Sequence, residues 1–207
     1  IRHHTTDWTV QGLCQGSSDR NLSDVGIRQA EQIATLFSKE NIHALYSSNL
    51  RRAVQTAELI SQPHNLPVMI EDDVRELDHG ELEGLTFNEI KKSYGEFLTR
   101  WRSEPAEIRV PGGERLTDVA EGAWKGLSQI VGRHPQAERI LVVSHNFPIL
   151  GIICRVTNTP LSDYRTFHLD PCSVTKLSYD GAGSWQARHI NNREYPPQAE
   201  TPLEETR

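Results

Sequence analysis

Three short stretches of this chain place a titratable or cationic side chain where α/β proteins hold their ligands. His3 follows the stub of an apolar strand at Ile1, and His145 follows the apolar run Ile140-Leu141-Val142-Val143. Arg52 falls in the first turn of a helical pattern behind the β-prone run Ile42-His43-Ala44-Leu45-Tyr46. If these strands are parallel, their carboxyl ends share one edge of the sheet, where open α/β sheets bind ligands. Arg2 stands beside His3, so two guanidinium groups and two imidazoles would meet there. Arginine forks match phosphate oxygens in a bidentate way, and helix starts add backbone N–H groups. The chemistry expected is phosphoryl transfer. Neighbours on a regular strand face opposite ways. Arg2 and His3 can therefore serve one ligand only if the chain leaves the sheet at His3.

The elements that must position these residues can be read from periodicity. Ile27, Ala30, Ile33, Ala34 and Phe37 recur with helical spacing behind Ser23, a good N-cap. Ala53, Thr56, Ala57 and Ile60 continue the helical pattern that carries Arg52. Thr86-Phe87-Asn88-Glu89 fits a capping box, opening one helix with Phe87, Ile90, Tyr94, Phe97 and Trp101 on a side. That stripe is read as packing in preference to a binding surface. Pro111-Gly112-Gly113 breaks the chain before a helix through Leu116, Val119, Ala123, Leu127, Ile130 and Val131. The run Ile140–Val143 suits a parallel strand covered on both faces. Ile149, Leu150, Ile152 and Ile153 predict a buried helix. Val174–Tyr179 and Trp185–Ile190, joined by Asp180-Gly181-Ala182-Gly183, predict a hairpin.

The alternation predicts an α/β fold, a three-layer α/β/α sandwich with a mostly parallel central sheet and a small helical lid. It also predicts one domain over 1–195, with the lid at about 84–113 and a disordered tail over 196–207. Most of the first strand is expected to precede Ile1. A formal net charge of -6 argues against a nucleic-acid partner. No run approaches the roughly 20 apolar residues of a membrane span. The three cysteines, Cys14, Cys154 and Cys172, lack CxxC spacing, which fits a reduced cytoplasmic protein with inert thiols.

The same residues carry a family resemblance. Arg2-His3 with Thr6-Asp7-Trp8, Leu13 to Asp19, and Leu22 to Gly26 resemble the first motif of the histidine phosphatase superfamily, phosphoglycerate-mutase-like branch. Ser48-Asn49-Leu50-Arg51-Arg52-Ala53 with Thr56-Ala57-Glu58 resembles the second, and Arg75 to Gly84 the third. Pro111-Gly112-Gly113-Glu114 resembles the loop after the lid helix, and Val143-Ser144-His145 the last motif. Each is short, but the ordered set spans nearly the whole chain.

The resemblance implies that His3 is the nucleophile that becomes phosphorylated. It implies that Arg2, Arg52 and His145 hold the phosphoryl group and that Glu76 gives a proton to the leaving oxygen. Glu81 and Glu83 are nearby competitors for that last role. Thr9, Gln15, Gly16, His79 and Asn146 would bind the substrate or its phosphate. No metal and no cofactor is expected, because fixed cations can meet the charge on the equatorial oxygens. The sequence departs from the family where His4 replaces Gly or Ala, Thr9 replaces Asn, and Asn146 replaces Gly. The implied activity is that of a histidine acid phosphatase-type phosphomonoesterase acting on a small phosphorylated metabolite, as a monomer or homodimer. Mutases of the family carry a long basic insertion between Glu76 and His145, and here that segment is short. The alternatives are a phosphoglycerate-mutase-type transfer, an inactive phosphate-binding regulator, and a metallohydrolase using His3, His4, Asp78, His79 and His145. No HxH or HExxH spacing supports the last.

Overall fold

The computed structural model of the protein describes residues 1–192, and the expected tail at 196–207 lies outside them. The helices are α1 (Asp7–Val10), α2 (Asp24–Phe37), α3 (Arg51–Ser61), α4 (Phe87–Ser93), α5 (Gly95–Ser103), α6 (Leu116–Arg133) and α7 (Asn146–Val156). The strands are β1 (Ala44–Ser47), β2 (Val68–Ile70), β3 (Ile140–Val143), β4 (Val174–Tyr179) and β5 (Trp185–Asn192).

β1, β2 and β3 form a parallel sheet in the order β2-β1-β3. Alternation along the strands makes the layers. Leu45, Leu141 and Val143 pack with Ile33 and Phe37 of α2 and Ala53, Ala57 and Ile60 of α3. Ala44 and Tyr46 face the other way, onto Ile130 of α6, with Ile140 and Val142 beside them. Both faces of β3 are therefore covered, as its unbroken apolar run predicts. Burial of each Val, Leu, Ile and Phe side chain in these layers contributes about 1.5–3 kcal/mol. The protein is a three-layer α/β/α sandwich.

The first residues continue the sheet beyond β3. Ile1 N donates to Val142 O at 2.7 Å, and Ser144 N donates to Ile1 O at 2.8 Å. Arg2 bridges Ser144 in parallel, and His3 N donates to Ser144 O at 2.9 Å. The next donor, His4 N, is turned away to Thr56 Oγ1 at 3.5 Å. The chain thus leaves the sheet after His3, as two neighbours facing one ligand require.

The cover over the site differs from its expected form. The single helix expected from Phe87 to Trp101 is two, α4 and α5, broken at Tyr94 (φ -127, ψ 33) ahead of Gly95. The aromatic spacing spans the break, and Ser93, Tyr94 and Gly95 are too weak as helix formers to carry the helix through. The capping box at Thr86 and Glu89 forms as read. Ile90, Trp101, Ile108 and Val110 pack on Leu116 of α6 and on Ile149, Leu150 and Ile153 of α7. β4 and β5 form the antiparallel hairpin at the expected positions. The short elements α1 and β2 were not legible beforehand. Among the described residues no helix is long and apolar enough to cross a membrane.

Candidate active site

His3, Arg52 and His145 come together where the stub at residues 1–3, β1 and β3 end. His3 Nδ1–H donates to the His4 carbonyl at 2.7 Å, so Nε2 carries the lone pair. Arg52 Nε–H donates to that Nε2 at 3.3 Å. The His3 and His145 rings lie 5.0 Å apart between centroids. His145 caps the start of α7, and its Nε2 lies 2.5 Å from Ser48 Oγ, just past β1. Arg2 Nη1 donates to the Leu169 carbonyl.

Arg52 is fully buried. Its fork is fixed from the first motif: Nη1 donates to Ser18 O at 2.9 Å and Nη2 to Gly16 O at 2.7 Å. Glycine is required at position 16, because a Cβ there would stand 2.4 Å from Glu83 Oε1 and 2.5 Å from Leu77 O. Glu83 in turn gathers the loop, accepting from Ser17 N and Ser18 N at 2.7 Å each and from His79 N at 3.2 Å. Glu81 accepts from Tyr94 Oη at 3.1 Å. Neither competitor reaches the histidines through these bonds.

Glu76 is bonded instead to the helix start that follows His145. Its buried carboxyl accepts from Asn146 N at 2.9 Å, Phe147 N at 3.1 Å and Leu77 N at 3.0 Å. The first two are the opening N–H groups of α7, directly after His145.

Burial and the neighbouring guanidiniums set the charge states. Burial first, then Arg52 and Arg2, hold the His3 imidazole well below the usual 6.5. Burial, then Arg52, His3 and Arg2, do the same to His145. Burial lowers Arg52 to about 10, which leaves it charged at neutral pH. The site is thus two cations beside two neutral imidazoles. Arg2 Nε and His145 Nδ1 are buried without a hydrogen-bond partner in the protein. Buried polar atoms are normally satisfied, so these two are free to bind a ligand's oxygens.

The remaining expected residues divide. Gln15 Oε1 accepts from Thr6 Oγ1 at 2.5 Å, close to the start of α1. Thr9 pairs its hydroxyl with Thr6 in the α1 capping box, a local bond that takes up the group expected to reach phosphate. His79 Nδ1–H donates to Leu77 O at 2.9 Å, and its ring lies 5.5 Å from that of Phe147, beside the apolar wall. Asn146 contributes its backbone N–H to Glu76. Ser48 and the Leu169 carbonyl were not singled out as parts of the site, since only the fold brings them there, and Glu83 was named only as a rival proton donor, not as the anchor of the loop behind Arg52. Glu83 had a local signal in the Glu-Leu-Glu-Gly stretch. Among the described residues no group of three or more His, Cys, Asp and Glu is placed to hold a metal ion.

His4 is wholly buried, with Nδ1 3.3 Å from Thr56 Oγ1 and Nε2 unpartnered. Burial lowers its pKa to about 3. His3, His4 and His145 all have folded-state values below their unfolded ones, so the unfolded chain takes up protons first as pH falls. Stability present above about pH 6.5 is lost on acidification from there toward pH 3, at about 1.4 kcal/mol per pH unit for each histidine. Thermal unfolding followed across this range should give a Tm that drops steadily below pH 6.5. A level Tm down to pH 4.5 would contradict three buried neutral imidazoles.

The fold and site define a class, an α/β protein whose sheet edge gathers guanidiniums and neutral imidazoles. The chain belongs to the histidine phosphatase superfamily, branch 1, which matches residues 1–193. It is 34% identical over 177 residues to phosphoserine phosphatase 1 of Hydrogenobacter thermophilus, covering 86% of this chain and 83% of that one. It is 31% identical over 185 residues to a probable phosphoglycerate mutase of Proteus mirabilis, covering 88% and 84%. The structure of a mycobacterial glucosyl-3-phosphoglycerate phosphatase superimposes with a TM-score of 0.83 at 26% identity, over 92% of this chain and 95% of that one.

Proposed function

We propose that the protein is a metal-independent phosphomonoesterase of small phosphorylated metabolites, acting through a phosphohistidine at His3. The observation that carries this reading is the cluster of buried His3, Arg52 and His145 with half-buried Arg2, Arg2 Nε and His145 Nδ1 having no partner in the protein. In the first step His3 Nε2 forms a bond to phosphorus as the ester P–O bond breaks, and the alcohol oxygen takes a proton from Glu76. In the second step water attacks the phosphohistidine and gives its proton back to Glu76. Phosphate leaves and His3 is regenerated. Arg2, Arg52 and His145 meet charge on the equatorial oxygens throughout, the task a metal performs elsewhere. The unpaired cysteines agree with a cytoplasmic protein, which we take to work as a monomer or homodimer.

Hydrolysis in preference to mutase transfer is favoured by the cover. A mutase must keep water from its phosphohistidine and retain an intermediate for reorientation. Here the cover is α4 and α5, of 7 and 9 residues, and the turn at Pro111-Gly112-Gly113. Phosphate release and isomerisation of 3-phosphoglycerate should be measured side by side on one preparation, in chelator and with vanadate added. Release that survives chelator, is inhibited by vanadate and outruns isomerisation is the expected result. Faster isomerisation would make the protein a mutase. Activity lost in chelator and restored by a divalent metal would overturn metal independence, and inertness across phosphate esters would leave a binding protein.

A further inference from the structure

An apolar cavity of about 140 Å³ lies under the cover, walled by Cys14, His79, Phe97, Leu98, Trp101 and Phe147, together with other apolar side chains. It adjoins the reacting groups through Phe147, whose N–H donates to Glu76 at 3.1 Å while its ring forms the wall. The Trp101 ring lies 6.2 Å from that of Phe147, and Trp101 Nε1–H is turned away to Tyr164 Oη at 3.2 Å. The aromatic stripe of the cover thus splits. Phe87, Phe97 and Trp101 face the cavity, while Tyr94 bonds Glu81. Cys14 adds no charge, because burial, then Glu83 and Glu76, push its thiol up to about 12.

We infer that the alcohol part of the substrate is an uncharged, apolar group of about one ring's size, seated in this cavity beside Glu76. The inference rests on the phosphomonoesterase reading and names its substrate class. Among the described residues the wall carries no Asp, Glu, Lys or Arg. An ammonium or carboxylate placed there would lose its water and gain no partner, which is costly. The pocket is half open on one side, and its volume of about 140 Å³ between apolar walls suits a single ring or a short branched alkyl chain. The polar cleft lined by Asp7, Trp8, Gln11, Asp19, Arg20 and Asn21 is a poor seat for an anionic alcohol. It sets two carboxylates against one guanidinium, and Arg20 lies 4.2 Å over the Trp8 ring.

The test compares kcat/KM for benzyl, ethyl, 2-naphthylmethyl and seryl phosphates and 3-phosphoglycerate, in chelator. Benzyl and ethyl alcohols are similar leaving groups, so their ratio reads the seat and not the chemistry. Benzyl phosphate should exceed ethyl phosphate by roughly 10- to 100-fold, the worth of burying one ring. It should exceed phosphoserine and 3-phosphoglycerate by at least as much. Leu98→Phe narrows the cavity and should lower the benzyl-to-ethyl ratio by roughly tenfold, mainly through KM. Leu98→Ala widens it and should move the preference toward 2-naphthylmethyl phosphate. Ratios within one preparation are independent of the folded fraction. Phosphoserine or 3-phosphoglycerate hydrolysed as well as benzyl phosphate would overturn the inference and leave the phosphatase reading standing. Ratios unmoved in both variants would also overturn it. No release from any ester would sink both.

Discussion

His3→Ala is expected to reduce phosphate release by roughly 10⁴-fold or more, because on the phosphatase reading it removes the atom that takes the phosphoryl group. The alternatives are accounted for by geometry. With Ser48 Oγ–H donating to its Nε2 at 2.5 Å, His145 carries its proton on Nδ1 and has no free lone pair, and His4 is wholly buried with its ring against Thr56. Arg52 and Arg2 are cations and cannot attack phosphorus. The loss is specific to chemistry, since His3 contributes only its bonds to the His4 carbonyl and Arg52 Nε to the local packing. Labelled substrate quenched during turnover should leave an acid-labile adduct on His3 in the native protein and none in the variant. Circular dichroism should be unchanged. A variant with native activity, or an adduct on another residue, would refute the assignment.

The adduct chemistry also bears on the pH range of activity. Burial and two arginines keep His3 neutral at pH values where a free imidazole is protonated. The nucleophile therefore remains available as pH falls through 6.5, while the same burial makes the folded state less stable there. Activity and stability draw on one arrangement with opposite consequences under acid.

What could be read beforehand was local. The helical spacing behind Ser23, the capping box at Thr86 and the run at Ile140–Val143 each state their element within a few residues, and each formed. Arg2, His3, Arg52 and His145 were legible because strand ends and helix starts place them at one edge once the sheet is parallel. What escaped depended on distant partners or on competition between local bonds. β2 is three residues long and only partly buried, too short to show a period. Nothing near Ser48 announces His145, 97 positions away. Glu76, Glu81 and Glu83 look alike in sequence, and only the packing of α7 distinguishes the first. Thr9 was expected at the phosphate by analogy with a longer side chain, but a hydroxyl three residues from Thr6 caps the helix instead.

The distinction among the three carboxyls gives the second large effect. Glu76→Gln is expected to cut release from an alkyl phosphate by roughly 10²–10⁴-fold, the usual worth of a general acid. The amide oxygen can still accept from Leu77 N and Phe147 N and so holds the side chain near its place, at the loss of the bond from Asn146 N, while the amide NH₂ has no proton of carboxylic acidity to give. The leaving group then decides the result. An alkoxide cannot depart unprotonated, whereas p-nitrophenolate can. In a single turnover the variant should release p-nitrophenolate from its aryl phosphate at close to the native rate, and then stall. The stall follows because the second step needs the carboxylate to take a proton from water, so phosphohistidine should accumulate. Rapid-quench measurement of p-nitrophenolate and of the adduct on His3 separates the two steps. A burst reduced as severely for p-nitrophenyl phosphate as for the alkyl ester would mean that Glu76 orients α7 and the substrate instead of supplying the proton. Glu81→Gln and Glu83→Gln give the contrast. The first should leave the burst and steady rate alike, and the second should loosen the Ser17–Ser18 loop behind Arg52, weakening both substrates together.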